Sequence, residues 1–429
     1  MAKKKTQTLE EALVPESELP HAVPENWVWV KLPYAFINCT SSNKKIKQKD
    51  YSPDGIYAVV DQGKELIGGY TNDDILLYDG QLPVIIFGDH TRIIKYIEFP
   101  FAQGADGVKV LKPCAFWDNK CFYYNLQSVK IPDLGYRRHF PLFPQYSIPL
   151  PPLAEQRRIV ARIESLFEKL DHARELVQTA QDSFETRKAA ILHKAFTGEL
   201  TAQWRAEHGV GMNSWEEMPF DKMCLSIYDG DHMPPPKKAE GIPFIVISNI
   251  NQGYISLENT RFVPSDYYKS LSETRIPKRG DVLYSIVGSF GIPALVDIDE
   301  PFCFQRHIAL FRPNSTVLNS KALWYILQTQ EIYNLADNLA TGTAQRTVPI
   351  RGLRKMLFMF PSLPEQQEIV RILDSLLEKE QKAKEQLEPV LDQIDLMKKS
   401  ILARAFRGEL GTNDPSEESA LGLSEEILK

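Results

Sequence analysis

Residues 153–200 read LAEQRRIVARIESLFEKLDHARELVQTAQDSFETRKAAILHKAFTGEL, and residues 363–410 read LPEQQEIVRILDSLLEKEQKAKEQLEPVLDQIDLMKKSILARAFRGEL. The two stretches align without a gap at an offset of 210 residues, and 20 of their 48 positions are identical. A segment that occurs twice, each time after a different stretch of sequence, predicts two structurally equivalent halves.

Apolar residues in both stretches recur at alternating steps of four and three residues. Sustained over four heptads, this alternation predicts a coiled-coil seam on each of two long helices. Arg187 and Glu380 occupy seam positions and interrupt the pattern. The apolar seam positions are Ile159, Ile163, Leu166, Leu170, Ala173, Val177, Ala180, Phe184 and Ile191 in the first stretch, and Ile369, Leu373, Leu376, Ala383, Leu387, Val390, Ile394, Met397 and Ile401 in the second.

The direction of the two helices follows from the order of the segments. Each helix of about 43 residues is roughly 65 Å long, and Gly198 and Gly408 lie where the helices should end. If the intervening residues 215–360 form one compact domain, the C-terminal end of the first helix lies beside the N-terminal end of the second. The helices are therefore expected to be antiparallel. Pro389 predicts a kink or local break in the second helix.

The stretches that precede the helices, residues 27–150 and 215–360, share little sequence beyond an early tryptophan, Trp27 or Trp215. Both contain short β-like runs separated by turn residues, such as LPVIIFGDH in the first and HIALFRP in the second. We expect an α+β protein with two mixed domains, each with a curved sheet and short helices such as residues 320–330. The two long antiparallel coiled-coil helices would separate these domains in a pseudo-two-fold arrangement.

Composition places few limits on the partners of this chain. The 429 residues carry a net charge of −6, and much of the acidic excess lies in residues 361–429, with 9 basic and 15 acidic side chains. The remaining chain is close to neutral, so bulk charge neither supports nor excludes DNA. Five cysteines without a CxxC pair, no signal peptide and no membrane span predict a reduced, cytoplasmic protein.

Polar clusters interrupt the predicted strands of both domains. Arginine, lysine, asparagine, glutamine and histidine on loops beside strands can contact base edges and phosphates. Each cluster could equally be a solvated loop or a satisfied polar group in the core, and His307, between apolar neighbours, could be buried. The DNA-binding candidates are His90, Thr91, Arg92, Lys95, Lys109, Arg137 and Arg138 in the first domain, and His232, Asn249, Gln305, Arg306, His307, Thr341, Thr343, Gln345 and Arg346 in the second.

Motifs for enzyme chemistry are missing from the sequence. It contains no GxxxxGK[ST] phosphate loop, no HExxH and no GxSxG. A signature for methylation of exocyclic amino groups and a nuclease core are also absent. We therefore predict a chain without catalytic or metal-binding residues.

The duplicated helices resemble the two repeated central helical regions of type I restriction-modification specificity subunits. The resemblance rests on PLPPLAEQRRIV and PSLPEQQEIV, each followed by a long helix that ends in (A/S)IL-x₂-AF-x-GEL. It extends over residues 27–410. It implies that Glu155, Gln156, Glu365, Gln366, Gly198 and Gly408 form the scaffold on which the subunits assemble.

The resemblance also implies a division of the chain. Residues 27–150 and 215–360 would be two target recognition domains, and residues 151–200 and 361–410 the long helices. Residues 201–214 would be a connector. The N-terminal tail, residues 1–26, would close onto the end of the second helix, and residues 411–429 would form a flexible acidic tail.

Function follows from the same resemblance. The subunit would bind a bipartite site on double-stranded DNA, with the helices as a ruler for the spacer. Two methyltransferase subunits and the restriction/translocase subunits would assemble around it. S-adenosylmethionine, ATP and Mg²⁺ would belong to those partners and not to this chain.

Two other functions are compatible with the residues. A coiled-coil scaffold that binds only proteins would show no salt-dependent binding to duplex DNA. A self-contained methyltransferase or nuclease would need a cofactor site that the sequence does not display.

Overall fold

The computed structural model describes residues 9–424, apart from residues 106, 233, 234, 252 and 344. The chain divides into two compact units. The first combines residues up to Val177 with residues from Pro389 onward, and the second is Gln178–Glu388. Each long helix therefore contributes one end to each unit. No helix in the described part of the chain is long and apolar enough to cross a membrane.

The first unit contains the short helix α1 (Leu9–Ala12), the helix α2 (Asn119–Ser128) and the beginning of the long helix α3 (Leu153–Phe196). Nine strands precede α3 among the described residues of this unit. They are β1 (Val28–Lys31), β2 (Phe36–Asn38), β3 (Tyr57–Val60), β4 (Gly69–Thr71), β5 (Val84–Gly88), β6 (Ile94–Ile97), β7 (Phe101–Gln103), β8 (Val108–Pro113) and β9 (Ser147–Leu150).

The second unit repeats this content. Its strands are β10 (Glu216–Pro219), β11 (Cys224–Asp229), β12 (Ile242–Ile245), β13 (Arg261–Val263), β14 (Val282–Ser285), β15 (Pro293–Leu295), β16 (Cys303–Phe304), β17 (Ile308–Pro313) and β18 (Leu357–Phe360). The remaining helices of the chain are α4 (Ala202–His208), α5 (Phe220–Met223), α6 (Ser265–Ser270), α7 (Ser320–Ile326), α8 (Gln330–Leu339), α9 (Ile350–Lys355), the long α10 (Leu363–Ala405) and α11 (Leu421–Ser424).

The two domains have the same sheet topology, which their sequences did not reveal. Each contains a four-stranded sheet, β2-β8-β5-β6 in the first and β11-β17-β14-β15 in the second. Each also contains a three-stranded sheet, β4-β3-β7 or β13-β12-β16, and a strand pair, β1-β9 or β10-β18. The single curved sheet that we expected in each domain is thus divided into three sheets.

The four-stranded sheet is buried on both faces, which explains its nearly continuous apolar strands. In β5, Ile85 and Phe87 pack with α2 and the long helices, whereas Val84 and Ile86 pack against the three-stranded sheet. In the second domain, strand β14 divides its side chains between two cores in the same way. Alternate side chains of one strand therefore enter different cores.

The long helices are antiparallel in both units, as predicted. In the first unit, Lys398 donates to Asp171 over 2.5 Å, and Arg174 pairs with Asp395. In the second unit, Lys384 lies 4.0 Å from Glu185. Residue numbers fall on α10 as they rise on α3, so the two helices run in opposite directions.

The irregular seam positions have specific explanations. Arg187 and Glu380 pair with each other, with Arg187 Nη2 2.8 Å from Glu380 Oε2. Helix α10 continues through Pro389, so the predicted local break is absent. Met397 is 51% exposed, which makes its assignment to the seam wrong. The neighbouring Lys398 covers Phe167 instead, with its Nζ atom 5.0 Å from the ring centre.

The Arg187–Glu380 pair provides a stability test. Replacing both residues with leucine should preserve or raise the free energy of unfolding, by up to about 1 kcal/mol, because two partly solvated charges give way to an apolar contact. Urea denaturation measures the change. The Glu378→Ala and Lys382→Ala double variant removes an exposed pair on the same helix and serves as a control without a measurable effect. A clear loss of stability in the leucine variant would contradict this role of the pair.

Candidate nucleic-acid interface

Three loops leave one end of the four-stranded sheet in the second domain. Residues 230–241 follow β11, residues 286–292 join β14 to β15, and residues 305–307 precede β17. A fourth loop, residues 341–347, is hydrogen-bonded to the second of these, because Gly288 N donates to the Arg346 carbonyl over 2.9 Å. We call these four loops the loop end of the second domain.

The candidates of the second domain, with one exception, lie together at this loop end. Gln305, Arg306 and His307 form the turn before β17, and Arg306 is exposed. Burial lowers the pKa of His307, and the positive charge of Arg306 lowers it further. His307 is therefore neutral at pH 7, and its ring can both donate and accept a hydrogen bond.

His232 lies in the first loop and pairs with a carboxylate. Its Nε2 atom is 2.8 Å from Asp229 Oδ2, and the His232 side chain is 60% exposed. Arg275 lies 3.7 Å from Asp229 and 3.8 Å from Asp231, and Tyr267 donates to Asp231 over 3.1 Å. The carboxylates of Asp229, at the end of β11, and of Asp231, in this loop, are therefore compensated by neighbouring groups of the same domain.

The loop of residues 341–347 presents four candidates. Thr341, Thr343, Gln345 and Arg346 are exposed. Arg346 is held in place, because its guanidinium binds the Asp337 carboxylate and also donates to the Asp337 carbonyl over 2.6 Å. This arginine is less free than the others to contact another molecule.

Asn249 is the exception, and we remove it from the candidate interface. It is 7% exposed, accepts a hydrogen bond from Val246 N over 3.0 Å and donates to the Glu258 carbonyl over 3.2 Å. The amide therefore stabilises a buried turn. The sequence around Asn249 gave no signal that would separate this role from an exposed one.

The first domain has an equivalent loop end, formed by residues 39–56, 89–93, 104–107 and 130–139. Two of its loops pack against each other. His90 stacks on Tyr136 with ring centres 4.7 Å apart, and His139 N donates to the Asp89 carbonyl over 2.8 Å.

Most candidates of the first domain are tied to neighbouring groups of the protein. Thr91 donates to the Gln62 carbonyl over 2.7 Å, and Arg92, with a positive φ of 61°, binds Asp133 and the Ile131 carbonyl. Lys109 lies on β8, 4.0 Å from Asp89. These side chains mainly stabilise the loop end through contacts within the protein, and they extend little from it.

Lys95 lies in the interior, although its sequence context suggested a DNA contact. It is 4% exposed and lies 3.6 Å from Asp61. Burial lowers the pKa of Lys95, while the charge of Asp61 acts in the opposite direction. We assign Lys95 a structural role in β6. By contrast, Arg137 and Arg138 are exposed and have no ion-pair partner among the residues described.

A buried polar frame joins each domain to the start of its long helix. Gln156 accepts from Asp118 N and donates to the Phe116 and Pro151 carbonyls. Gln366 repeats this pattern, because it accepts from Asn319 N and donates to the Val317 and Pro361 carbonyls. Both glutamines are fully buried, so they hold the domain to the helix from within the unit.

The paired glutamates bind the two tryptophans that begin the domains. Trp27 Nε1 donates to Glu155 over 2.7 Å, and Trp215 Nε1 donates to Glu365 over 2.8 Å. Glu365 also pairs with Arg205, at 2.5 Å. Both carboxylates are fully buried. The tryptophans were visible in the sequence, but nothing there linked them to these glutamates.

Different segments of the chain complete this buried polar frame in the two units. In the second unit, Thr201 from the connector donates to Glu365 over 2.6 Å. In the first unit, Asn413 from beyond the end of α10 donates to Glu155 over 2.8 Å, and Ala420 N donates to the Asn26 carbonyl over 2.9 Å. Gly198 and Gly408 end the long helices with φ of 83° and 76°, values that favour glycine.

Chemistry within the described residues is limited. No group of three or more histidine, cysteine, aspartate or glutamate side chains among them could hold a metal ion. Burial raises the pKa of Cys224 and Cys303 to about 12. These thiols are therefore protonated near neutral pH and are poor nucleophiles.

Comparison with known proteins agrees with this geometry. Residues 226–389 match the family described as "Type I restriction modification DNA specificity domain", which covers the second domain from β11 onward and the first part of α10. This part of the chain is therefore similar to type I restriction modification DNA specificity domains.

Individual relatives are distant in sequence. The chain is 25% identical to the EcoBI specificity subunit of Escherichia coli over 61% of this chain and 58% of that protein. It is 26% identical to the MjaVIII specificity subunit of Methanocaldococcus jannaschii over 85% of this chain and 90% of that protein. The match thus spans less than two thirds of the first relative and most of the second.

Solved structures share the fold. The HsdS subunit from Thermoanaerobacter tengcongensis aligns with 92% of this chain and all of its own, at a TM-score of 0.55 and 20% identity. A chain from a structure of a type I R-M system complex aligns with 91% of this chain and all of its own, at a TM-score of 0.63 and 21% identity.

Proposed function

We propose that this chain is the DNA-sequence-specificity subunit of a type I restriction-modification complex. One observation carries the proposal: two domains of identical sheet topology, attached to duplicated helices by the same buried contacts, present different side chains at equivalent loop ends. A duplicated frame with unlike loops is suited to a bipartite site with two different half-sites.

The loop ends differ in where their free polar groups lie. In the first domain, the exposed cations include Arg137 and Arg138 on the loop of residues 130–139, and Lys45, Lys47 and Lys49 on the loop of residues 39–56. In the second domain, the exposed Arg306 lies on the turn before β17, whereas the sequence of residues 104–107, before β8, contains no arginine or lysine. Contacts with base edges and phosphates would therefore come in part from different loops in each half-site.

The chain itself performs no chemical step in this proposal. Methyltransferase subunits and restriction subunits would supply S-adenosylmethionine, ATP and Mg²⁺ sites in the cytoplasm, where the complex meets DNA. A target base must leave the stack before it is methylated, and this step would belong to the methyltransferase. The buried frame would keep the reading domains rigid while these partners act.

Salt-dependent binding to duplex DNA tests the proposal. With four neutralised phosphates, the affinity of the full chain for its duplex should fall about 100-fold between 50 and 200 mM salt. A fluorescence-anisotropy titration at these two concentrations measures the fall. Failure to bind any duplex at 50 mM, alone or with methyltransferase subunits, would favour the protein-scaffold alternative.

Arg137 and Arg138 provide a local prediction in the first domain. If both contact phosphates, replacing them with alanine should reduce the slope of log affinity against log salt by about 1.8. Arg162→Ala, which removes an exposed arginine of the same unit on α3, is the matched control and should leave the slope unchanged. Equal slopes for the double variant and the control would exclude these arginines from the interface.

A further inference from the structure

We propose that Arg306 reads a guanine in the second half-site, whereas Lys237 and Lys238 bind the DNA backbone beside it. The inference rests on the proposed function and adds a division of roles at the loop end of the second domain. Arginine can donate two hydrogen bonds to the O6 and N7 atoms of guanine, a contact that distinguishes this base in the major groove.

The backbone around Arg306 is fixed on both sides. Gln305 N donates to the Ile245 carbonyl over 3.0 Å, which anchors the turn to the three-stranded sheet. Ile286 N donates to the His307 carbonyl over 2.9 Å, which anchors it to β14 of the four-stranded sheet. A side chain that starts from such a rigid turn can be placed with the precision that base reading needs.

The guanidinium of Arg306 is available for a ligand. It is exposed, and it has no hydrogen bond or ion pair with any residue that the structure describes. The nearby carboxylates do not compete for it, because Asp229 is paired with His232 and both Asp229 and Asp231 lie near Arg275. The charge of Arg306 is therefore left for an external acceptor.

The space beside Arg306 allows a close approach. Residues 286–292, which adjoin the turn, include Gly288 and Ser289 at their tip. Gly288 has a φ of 70°, and a side chain added there would meet nothing nearer than 3.7 Å. This small-residue loop leaves room for a base edge next to the arginine.

Lys237 and Lys238 differ from Arg306 in side-chain chemistry. Both are exposed, on the long loop after β11, and neither has an ion-pair partner in the described part of the chain. A lysine carries a flexible point charge, which suits phosphate oxygens, whereas the planar fork of an arginine suits a base edge. We therefore assign affinity to the lysines and sequence preference to Arg306.

The experiment compares the full chain with three variants. A bound site is first selected from random duplexes with the wild-type chain and its methyltransferase subunits, and each base pair is then substituted in turn. In Arg306→Ala, the preference for guanine at one position of one half-site should fall about 5- to 150-fold. Arg306→Lys should retain part of that preference, because lysine can also donate to guanine.

The double lysine variant should show the opposite pattern, with a change in salt dependence and no change in base preference. Replacing Lys237 and Lys238 with alanine should reduce the salt slope by up to about 1.8 while every base preference is kept. Thermal melting of each variant verifies that the domain is folded.

Two outcomes would overturn the inference. Arg306→Ala could keep all base preferences, or it could only reduce the salt slope, which would make Arg306 a phosphate contact. In both cases the wild-type chain would still select a bipartite site, so the proposed function would stand. If the wild-type complex selected no sequence, the proposed function would fail and this inference with it.

Discussion

Replacing Glu365 with alanine should lower the free energy of unfolding of the second unit by about 3–5 kcal/mol. The variant leaves the guanidinium of Arg205, whose side chain is 10% exposed, without its carboxylate partner. It also removes the acceptor of Trp215 Nε1 and Thr201 Oγ1. Urea denaturation, with hydrogen exchange to localise the unfolding to this unit, measures the loss.

Two further variants serve as controls for this result. Glu365→Gln keeps an acceptor for the tryptophan but removes the ion pair, so its loss should be intermediate. Glu368→Ala, on the same helix, removes the partner of the largely exposed Arg371 and should change stability little. A loss below about 1 kcal/mol for Glu365→Ala would show that the frame does not hold the domain on the helix.

Shortening both long helices should move the preferred DNA site to a shorter spacer. We expect deletion of residues 174–180 together with residues 389–395 to shorten the helix pair by about 10 Å, close to three base pairs of duplex. Binding to the original site should fall at least about 100-fold, because one half-site is lost. Binding should return on a site whose spacer is about three base pairs shorter.

The deletion is designed to preserve the coiled coil. It removes one heptad from each helix, so the seam stays in register. The paired residues Arg174 and Asp395 are removed together. Deleting residues 174–180 alone would mismatch the helices and serves as a destabilised control. An unchanged spacer in the folded double deletion would contradict a role of the helices as a ruler.

The long helices were predictable because their signals are local. Heptad spacing, the glycines that end each helix and the order of the segments sufficed to predict two antiparallel rods. The exceptions are also instructive. Helix α10 continues through Pro389. Arg187 and Glu380 can occupy seam positions because they form an ion pair with each other.

The sheets were harder to predict because strand pairing is not local. Strand β3 pairs in parallel with β7, and β12 with β16, across long separations that no short motif encodes. The two domains therefore share a topology that their sequences conceal. Equivalent short strands can have different sequences as long as their core-facing positions remain apolar.

In the structure, some candidate residues are buried and others are exposed. Sequence context alone does not determine which of them are buried. Lys95 and Asn249 follow the same polar patterns as their exposed neighbours, yet each is buried and has a partner inside its domain. Arg306 and the Arg137–Arg138 pair stayed exposed. The sequence around a single polar residue on a strand or turn does not indicate whether that residue binds another group of the protein or a ligand.

Selection of bound duplexes from a random library, with the full chain and its methyltransferase subunits, tests the central claim most directly. The account predicts one enriched motif with two unlike half-sites, separated by a spacer of fixed length and free sequence. A single uninterrupted motif, or two half-sites at variable distance, would contradict the account.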